Sequence, residues 1–168
     1  MSDQSNHEPT HDQTANVRLL VLDVDGVMTD GRLYFDANGE EAKVFHVRDG
    51  FGIKQLMKTG IAVAVISGRR SKAVERRITE LNIEHARLGQ ENKLDALVEI
   101  CSMLDIPMRN VACMGDDLPD LPLLQAAGLG IAVADAHPGL LAVADWCTNL
   151  AGGQGCVREV CDRLMQSK

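Results

Sequence analysis

Aromatic residues are scarce in this chain, with one Trp, one Tyr and three Phe among 168 residues. Stacking platforms for nucleic-acid bases are therefore not available. A net charge of −7 argues further against a nucleic-acid backbone as partner. The five cysteines (Cys101, Cys113, Cys147, Cys156 and Cys161) are odd in number and contain no C-x-x-C pair. That excludes a disulfide framework and a zinc site, and fits reduced thiols in a cytoplasm. The five histidines lack ligand spacing; His7 and His11 lie four apart, but in a segment without apolar periodicity. Long hydrophobic runs are missing too. The longest, such as Ile61–Ile66, are strand-sized, against the roughly 20 residues a membrane span needs. The N-terminus has no basic region followed by an apolar one, so it does not read as a secretory signal. These absences leave an acidic, single-domain, cytoplasmic protein with neither nucleic acid nor membrane as partner.

The chain itself divides into three stretches. Residues 1–16 are polar and nearly free of aliphatic side chains, and are expected to form a disordered tail. Residues 17–150 alternate apolar runs with amphipathic segments. Val17–Val24, Ile61–Ile66, Val111–Met114 and Leu129–Val133 read as buried strands, and Glu84–Leu88 as a weaker one. Helices are expected over Gly50–Thr59, after Ser71, and over Glu91–Leu104, Leu118–Ala127 and Pro138–Val143. Asn38-Gly39 between Arg32–Phe35 and Glu41–His46 signals a hairpin. Residues 151–168 form a Gly-rich tail and a last helix, Val157–Met165. Strands alternating with helices predict an α/β fold: a Rossmann-like, doubly wound parallel sheet with helices on both faces and a β-hairpin flap after strand 1.

Such sheets place their chemistry beyond the carboxyl ends of the strands. That rule singles out Asp23 and Asp25, then Ser67, then Asp116 and Asp117. Crowded carboxylates repel strongly at a partly buried site. A hard divalent cation with oxygen ligands relieves the repulsion, and Mg²⁺ suits a small site that retains water.

Taken in chain order, the motifs are Asp23-Val24-Asp25-Gly26, Ser67-Gly68-Arg69, Lys93, and Gly115-Asp116-Asp117-Leu118-Pro119-Asp120. This order resembles the haloacid dehalogenase-like (HAD) phosphatase superfamily from Val17 to about Leu150. The resemblance implies that Asp23 is the nucleophile forming an aspartyl-phosphate. By the same resemblance Asp25 is the general acid and base, and Ser67 and Lys93 hold the transferring phosphoryl oxygens. Mg²⁺ falls to Asp23, Asp116 and the Asp25 backbone carbonyl. Asp117 and Asp120 are expected to support the site, with helix capping as the other reading of Asp120.

The intervals from 24 to 66 and from 68 to 92 leave no room for a cap domain, so the enzyme is expected to be capless, with neighbouring subunits supplying the lid. Asp23-Val24-Asp25-Gly26-Val27-Met28-Thr29-Asp30-Gly31 and Phe45-His46-Val47-Arg48-Asp49-Gly50 resemble the 3-deoxy-D-manno-octulosonate 8-phosphate phosphatases of lipopolysaccharide precursor synthesis. That family implies a homotetramer with a hub of hairpins. It also implies a sugar-acid phosphate substrate bound by Asp25, His46, Val47, Arg48, Asp49, Gly50, Lys54, Arg69, Arg77 and Lys93. The Gly152-Gly153-Gln154-Gly155 segment is expected to cover an adjacent subunit's site, although the residues alone do not decide between its own chain and a neighbour's. Two alternatives stay open: a phosphatase for another acidic sugar, such as a sialic-acid-like 9-phosphate, and a non-catalytic regulatory domain. A phosphorylated receiver domain fails because Lys93 follows the third strand and the acids follow the fourth.

Overall fold

The computed structural model describes residues 8–167. The part of the expected disordered tail at 1–7 lies outside the described residues. Helix α1 (His11–Ala15) leads into strand β1 (Leu19–Leu22), a tight turn at Val24–Met28, and the hairpin strands β2 (Tyr34–Phe35) and β3 (Glu41–Ala42). Then follow α2 (Val47–Lys58), β4 (Ala62–Ser67), α3 (Lys72–Leu81), β5 (His85–Leu88) and α4 (Lys93–Leu104). The chain ends through β6 (Val111–Gly115), α5 (Leu121–Ala126), β7 (Leu129–Ala132), α6 (Pro138–Leu141), β8 (Trp146–Cys147) and α7 (Cys156–Gln166).

Six strands form one sheet in the order β5-β4-β1-β6-β7-β8, and every pair is parallel. Residues of β1, β6 and β7 are buried throughout. Helices cover both faces of such a sheet, which is why these strands read as unbroken apolar runs. Strand order reverses at β1: the chain builds outward through β4 and β5, then returns to add β6, β7 and β8 on the other side. Leu22 is level with Val65 on one neighbour and Met114 on the other. Asp23, the end of β4 and the end of β6 therefore converge at the switch point, where a crevice opens.

One departure from expectation concerns the N-terminus. Residues 11–15, expected to continue a disordered tail, form α1. A capping box holds it, with Gln13 N–H on Thr10 Oγ1 and Thr10 N–H on Gln13 Oε1. It docks on α7: Thr14 is fully buried, its Oγ1 2.6 Å from Ser167 Oγ, and Arg163 donates to the Pro9 carbonyl at 3.3 Å. A polar segment too short of apolar surface to order itself is ordered here by hydrogen bonds to another helix. At the other end, α7 buries Val157, Val160, Cys161 and Leu164 in the same core as the sheet, packing mainly on α2 of its own chain.

Smaller differences follow from local chemistry. The helix expected over Leu118–Ala127 is split into a 3₁₀ turn, Leu118–Asp120, and α5. Strand β8, two residues beside β7, is too short to carry a period.

Candidate active site

β1 ends at Leu22, and the next residues carry the first two acids. The Asp23 N–H donates to the Met114 carbonyl at 3.2 Å, which holds that residue in line with the sheet. Gly26 then takes φ +93°, a conformation that side chains disfavour. Space demands glycine there as well, since a Cβ would stand 2.0 Å from Asp116 Oδ2. The turn separates the acids: Asp23 is buried and faces β6, whereas the Asp25 carboxylate faces the hairpin.

Lys93, the first residue of α4, is buried and lies 2.7 Å from both Asp23 Oδ1 and Asp120 Oδ1. Asp120 Oδ2 accepts the Asp116 N–H at 3.1 Å. Asp120 is thus a buried strut between Lys93 and the end of β6 and makes no side-chain cap on α5. Asp117 is exposed and caps the following 3₁₀ turn through the Leu118 N–H. Ser67, the last residue of β4, is buried, and its Oγ accepts the Arg69 N–H at 3.3 Å.

Among the described residues, Asp23, Asp116 and Asp120 offer carboxylate oxygens all within 4.8 Å of one another. Electrostatics register the crowding. Burial, with repulsion from Asp120, raises the Asp23 carboxyl despite Lys93. Burial, then Asp23, Asp120 and Asp117, push Asp116 to about 7. Three hard oxygen donors, short of positive charge beside one lysine, fit a small divalent cation such as Mg²⁺.

On the other side of the site, beside Asp25 and Arg69, stand Lys43 and Glu41, which the sequence had not singled out. Lys43, just past β3, has a side chain only 1% exposed, and its Nζ contacts Asp25 Oδ1 and Glu41 Oε1. Arg69 Nη2 meets Glu41 Oε2 at 2.9 Å, and its Nε stands 3.9 Å from Asp25 Oδ2. The four charges alternate and balance. Burial by itself pulls the Lys43 pKa down, but the bonds to Asp25 and Glu41 outweigh it and leave the group above the ordinary lysine value. Lys43 in turn lowers the Glu41 carboxyl. The signal that finds this pair is period 2: Glu41 and Lys43 share one face of the returning hairpin strand.

The remaining expected residues collect at the start of α2. His46 caps the helix through Nδ1, accepting the Arg48 N–H at 3.2 Å. Val47, Arg48 and Lys54 are exposed. Arg77 lies against buried Gly50, reaches the His46 carbonyl at 3.5 Å and stacks over Phe45. Asp49 is buried, and its Oδ1 accepts the Arg158 N–H at 2.8 Å, so it serves the N-terminal turn of α7. The Gly-rich segment sits on its own chain's turn after β1. The Gly153 N–H donates to the Val27 carbonyl at 3.0 Å, and a Cβ on Gly152 would stand 1.9 Å from the Gly26 carbonyl oxygen.

Residues 88–159 match the family of haloacid dehalogenase-like hydrolases, the class that this switch-point cluster of acids and lysine defines. The 3-deoxy-D-manno-octulosonate 8-phosphate phosphatase of Escherichia coli K12 is 53% identical over 150 residues, covering 89% of this chain and 80% of that protein. The crystal structure of the Yersinia pestis phosphatase of the same name superposes with a TM-score of 0.93 at 46% identity, over 98% of this chain and 91% of that one. A third likeness, at TM-score 0.92 and 40% identity over 94% and 91%, is the Moraxella catarrhalis phosphatase in complex with magnesium, phosphate and 3-deoxy-D-manno-octulosonate (KDO). This chain belongs to the 3-deoxy-D-manno-octulosonate 8-phosphate phosphatase family.

Proposed function

We propose that the chain is a Mg²⁺-dependent phosphatase that hydrolyses 3-deoxy-D-manno-octulosonate 8-phosphate to the free sugar acid and inorganic phosphate, a step of lipopolysaccharide precursor synthesis. The observation that carries the chemistry is buried Lys93 bridging Asp23 and Asp120, with Asp116 beside them. Kinship with phosphatases named for this sugar carries the substrate.

Asp23 is the nucleophile: a carboxylate oxygen bonds to phosphorus as the ester P–O bond breaks, leaving an aspartyl-phosphate. Asp25 gives a proton to the departing alkoxide, then takes one from the water that opens the aspartyl-phosphate. Ser67 and Lys93 hold phosphoryl oxygens as they gain charge. Asp23, Asp116 and the Asp25 carbonyl would hold Mg²⁺, with Asp120 keeping Lys93 and Asp116 in place. The bound ion offsets the repulsion between an anionic nucleophile and an anionic phosphate. Arg69 is the partner for the sugar carboxylate, a planar group matched by its fork of donors. The residues at the start of α2 (His46, Val47, Arg48, Asp49, Gly50), with Lys54 and Arg77, shape the rest of the sugar site.

Phosphate release tests this reading on a panel of the octulosonate 8-phosphate, a sialic-acid 9-phosphate and neutral hexose phosphates, with Mg²⁺ and with chelator. Mg²⁺-dependent preference for the eight-carbon acid is expected. Preference for the nine-carbon acid keeps the mechanism and discards the substrate, and inactivity on all of them overturns the phosphatase reading.

No described helix is long and apolar enough to cross a membrane, and we place the enzyme in the cytoplasm as a homotetramer. Three of the chain's five aromatics, Tyr34, Phe35 and Phe51, are exposed along the hairpin and α2, together with Leu33, Val44 and Val47. An apolar patch of this kind marks an interface, and a second copy of the chain is its occupant. Light scattering on a sizing column is expected to give a tetramer for the parent and smaller species for Phe35→Asp. A parent that runs as a monomer overturns the assembly.

A further inference from the structure

A buried lysine costs desolvation unless anions meet it. Lys43 has no part in the mechanism above, yet its side chain is more deeply buried than either acid it touches. Its partners divide its work. Glu41 belongs to the same hairpin, so that contact only stiffens the returning strand. Asp25 belongs to the turn after β1, eighteen residues away, so that contact joins the hairpin to the acid that handles the proton.

We propose that Lys43 is a positioning residue for the reaction: it fixes the Asp25 carboxylate through Oδ1 and leaves Oδ2 as the oxygen that carries the proton to the leaving group. This rests on the general-acid reading of Asp25. Two observations support it. Oδ1 is taken by Lys43, whereas Oδ2 has Arg69 Nε only at 3.9 Å, outside hydrogen-bond range. Arg69 is also tied to Glu41, which is in turn tied to Lys43, so the hairpin strand sets the angle of both groups that face the substrate. In the first half-reaction the proton on Oδ2 passes to the bridging oxygen while the P–O bond breaks and the Asp23–phosphorus bond forms. In the second, water returns a proton to Oδ2 as its oxygen bonds to phosphorus and the Asp23–phosphorus bond breaks. A carboxyl free to rotate offers Oδ2 to the leaving oxygen only part of the time.

The readout is leaving-group dependence, because a sugar alkoxide needs protonation and p-nitrophenolate does not. Single-turnover kinetics with enzyme in excess, read as release of the sugar acid or of p-nitrophenolate and so on the first half-reaction alone, compare the octulosonate 8-phosphate with p-nitrophenyl phosphate for the parent, Lys43→Met, Lys43→Gln, Lys43→Arg and Asp25→Asn, each checked for folding by circular dichroism. General-acid catalysis is worth about 10²–10⁴ in rate. On that scale Lys43→Met and Lys43→Gln are expected to lose about 10–100-fold in the rate of leaving-group release from the sugar phosphate, with far smaller loss on the aryl phosphate. The enzyme concentration at half-maximal rate should stay near that of the parent, and Lys43→Arg should recover most of the loss. If Met fails to fold, the Gln and Arg pair still decides the point. Equal losses on both substrates, with Asp25→Asn still selective for the sugar ester, overturn the proposal and make Lys43 a strut of the hairpin alone. An Asp25→Asn variant that hits both substrates equally overturns the general-acid reading itself, and the proposal with it.

Discussion

Asp23→Asn is expected to lower phosphate release by a factor of about 10³ or more, the loss typical of removing a covalent nucleophile. The amide has the volume of the carboxylate but no anionic oxygen to attack phosphorus. Structure should survive the change, because the Asn oxygen can still accept from Lys93, and Lys93 keeps Asp120 at 2.7 Å. The cluster also loses one of three crowded negative charges, so the metal-free variant should melt no lower than the parent at pH 8. Single-turnover release measured beside a thermal melt checks both halves. Activity above roughly one part in a hundred of the parent rate, in a variant free of parent enzyme, takes the nucleophile's role away from Asp23.

Chelation is expected to abolish turnover and to expose a pH-dependent weakness in the fold. Without metal, the folded-state pKa of Asp116 stands at about 7, with Asp23 raised alongside it, both chiefly by burial. In the unfolded chain both acids titrate near 3.8. Between those values the folded state binds more protons, so the slope of stability against pH is negative. Their contribution is fully present below about pH 4 and is lost as pH rises through 7. A divalent cation replaces the missing protons, so Mg²⁺ should raise Tm at pH 8 and do little at pH 5. Saturation at about a hundred times the dissociation constant is worth about 2.7 kcal/mol. For a chain of this size that amounts to about 5–10 °C. Partial exposure of Asp116 reduces the proton-linked share through solvent screening. Melts with Mg²⁺ and with chelator at the two pH values decide it. An equal Mg²⁺ effect at both, or none, removes the carboxylate cluster as the metal site.

The sequence by itself determined the alternating strands and helices of a parallel sheet and the chain order of its candidate site motifs. Each of these rests on a local signal: apolar runs of strand length, an acid or serine where a run stops, and a lysine opening a helix. Asp23, Asp25, Ser67 and Asp116 could be singled out because a parallel sheet sends all its strand ends to one edge, and Lys93 only through the resemblance of the whole motif order to a known family. Only the tertiary structure decided what meets across long intervals. Asp120 stood open between a cap and a support until Lys93 was found against it. Lys43 and Glu41 share one face of the hairpin, but nothing local tells which face of a two-residue strand folds back over the site. The segment at 11–15 was misjudged for a related reason. Its own side chains cannot bury enough surface, and its order comes from α7, some 150 positions later, which no window of sequence contains. The Gly-rich segment likewise left its seat undecided between its own chain and a neighbour's, whereas backbone packed on backbone at the Gly26 turn of its own chain demands residues without a side chain.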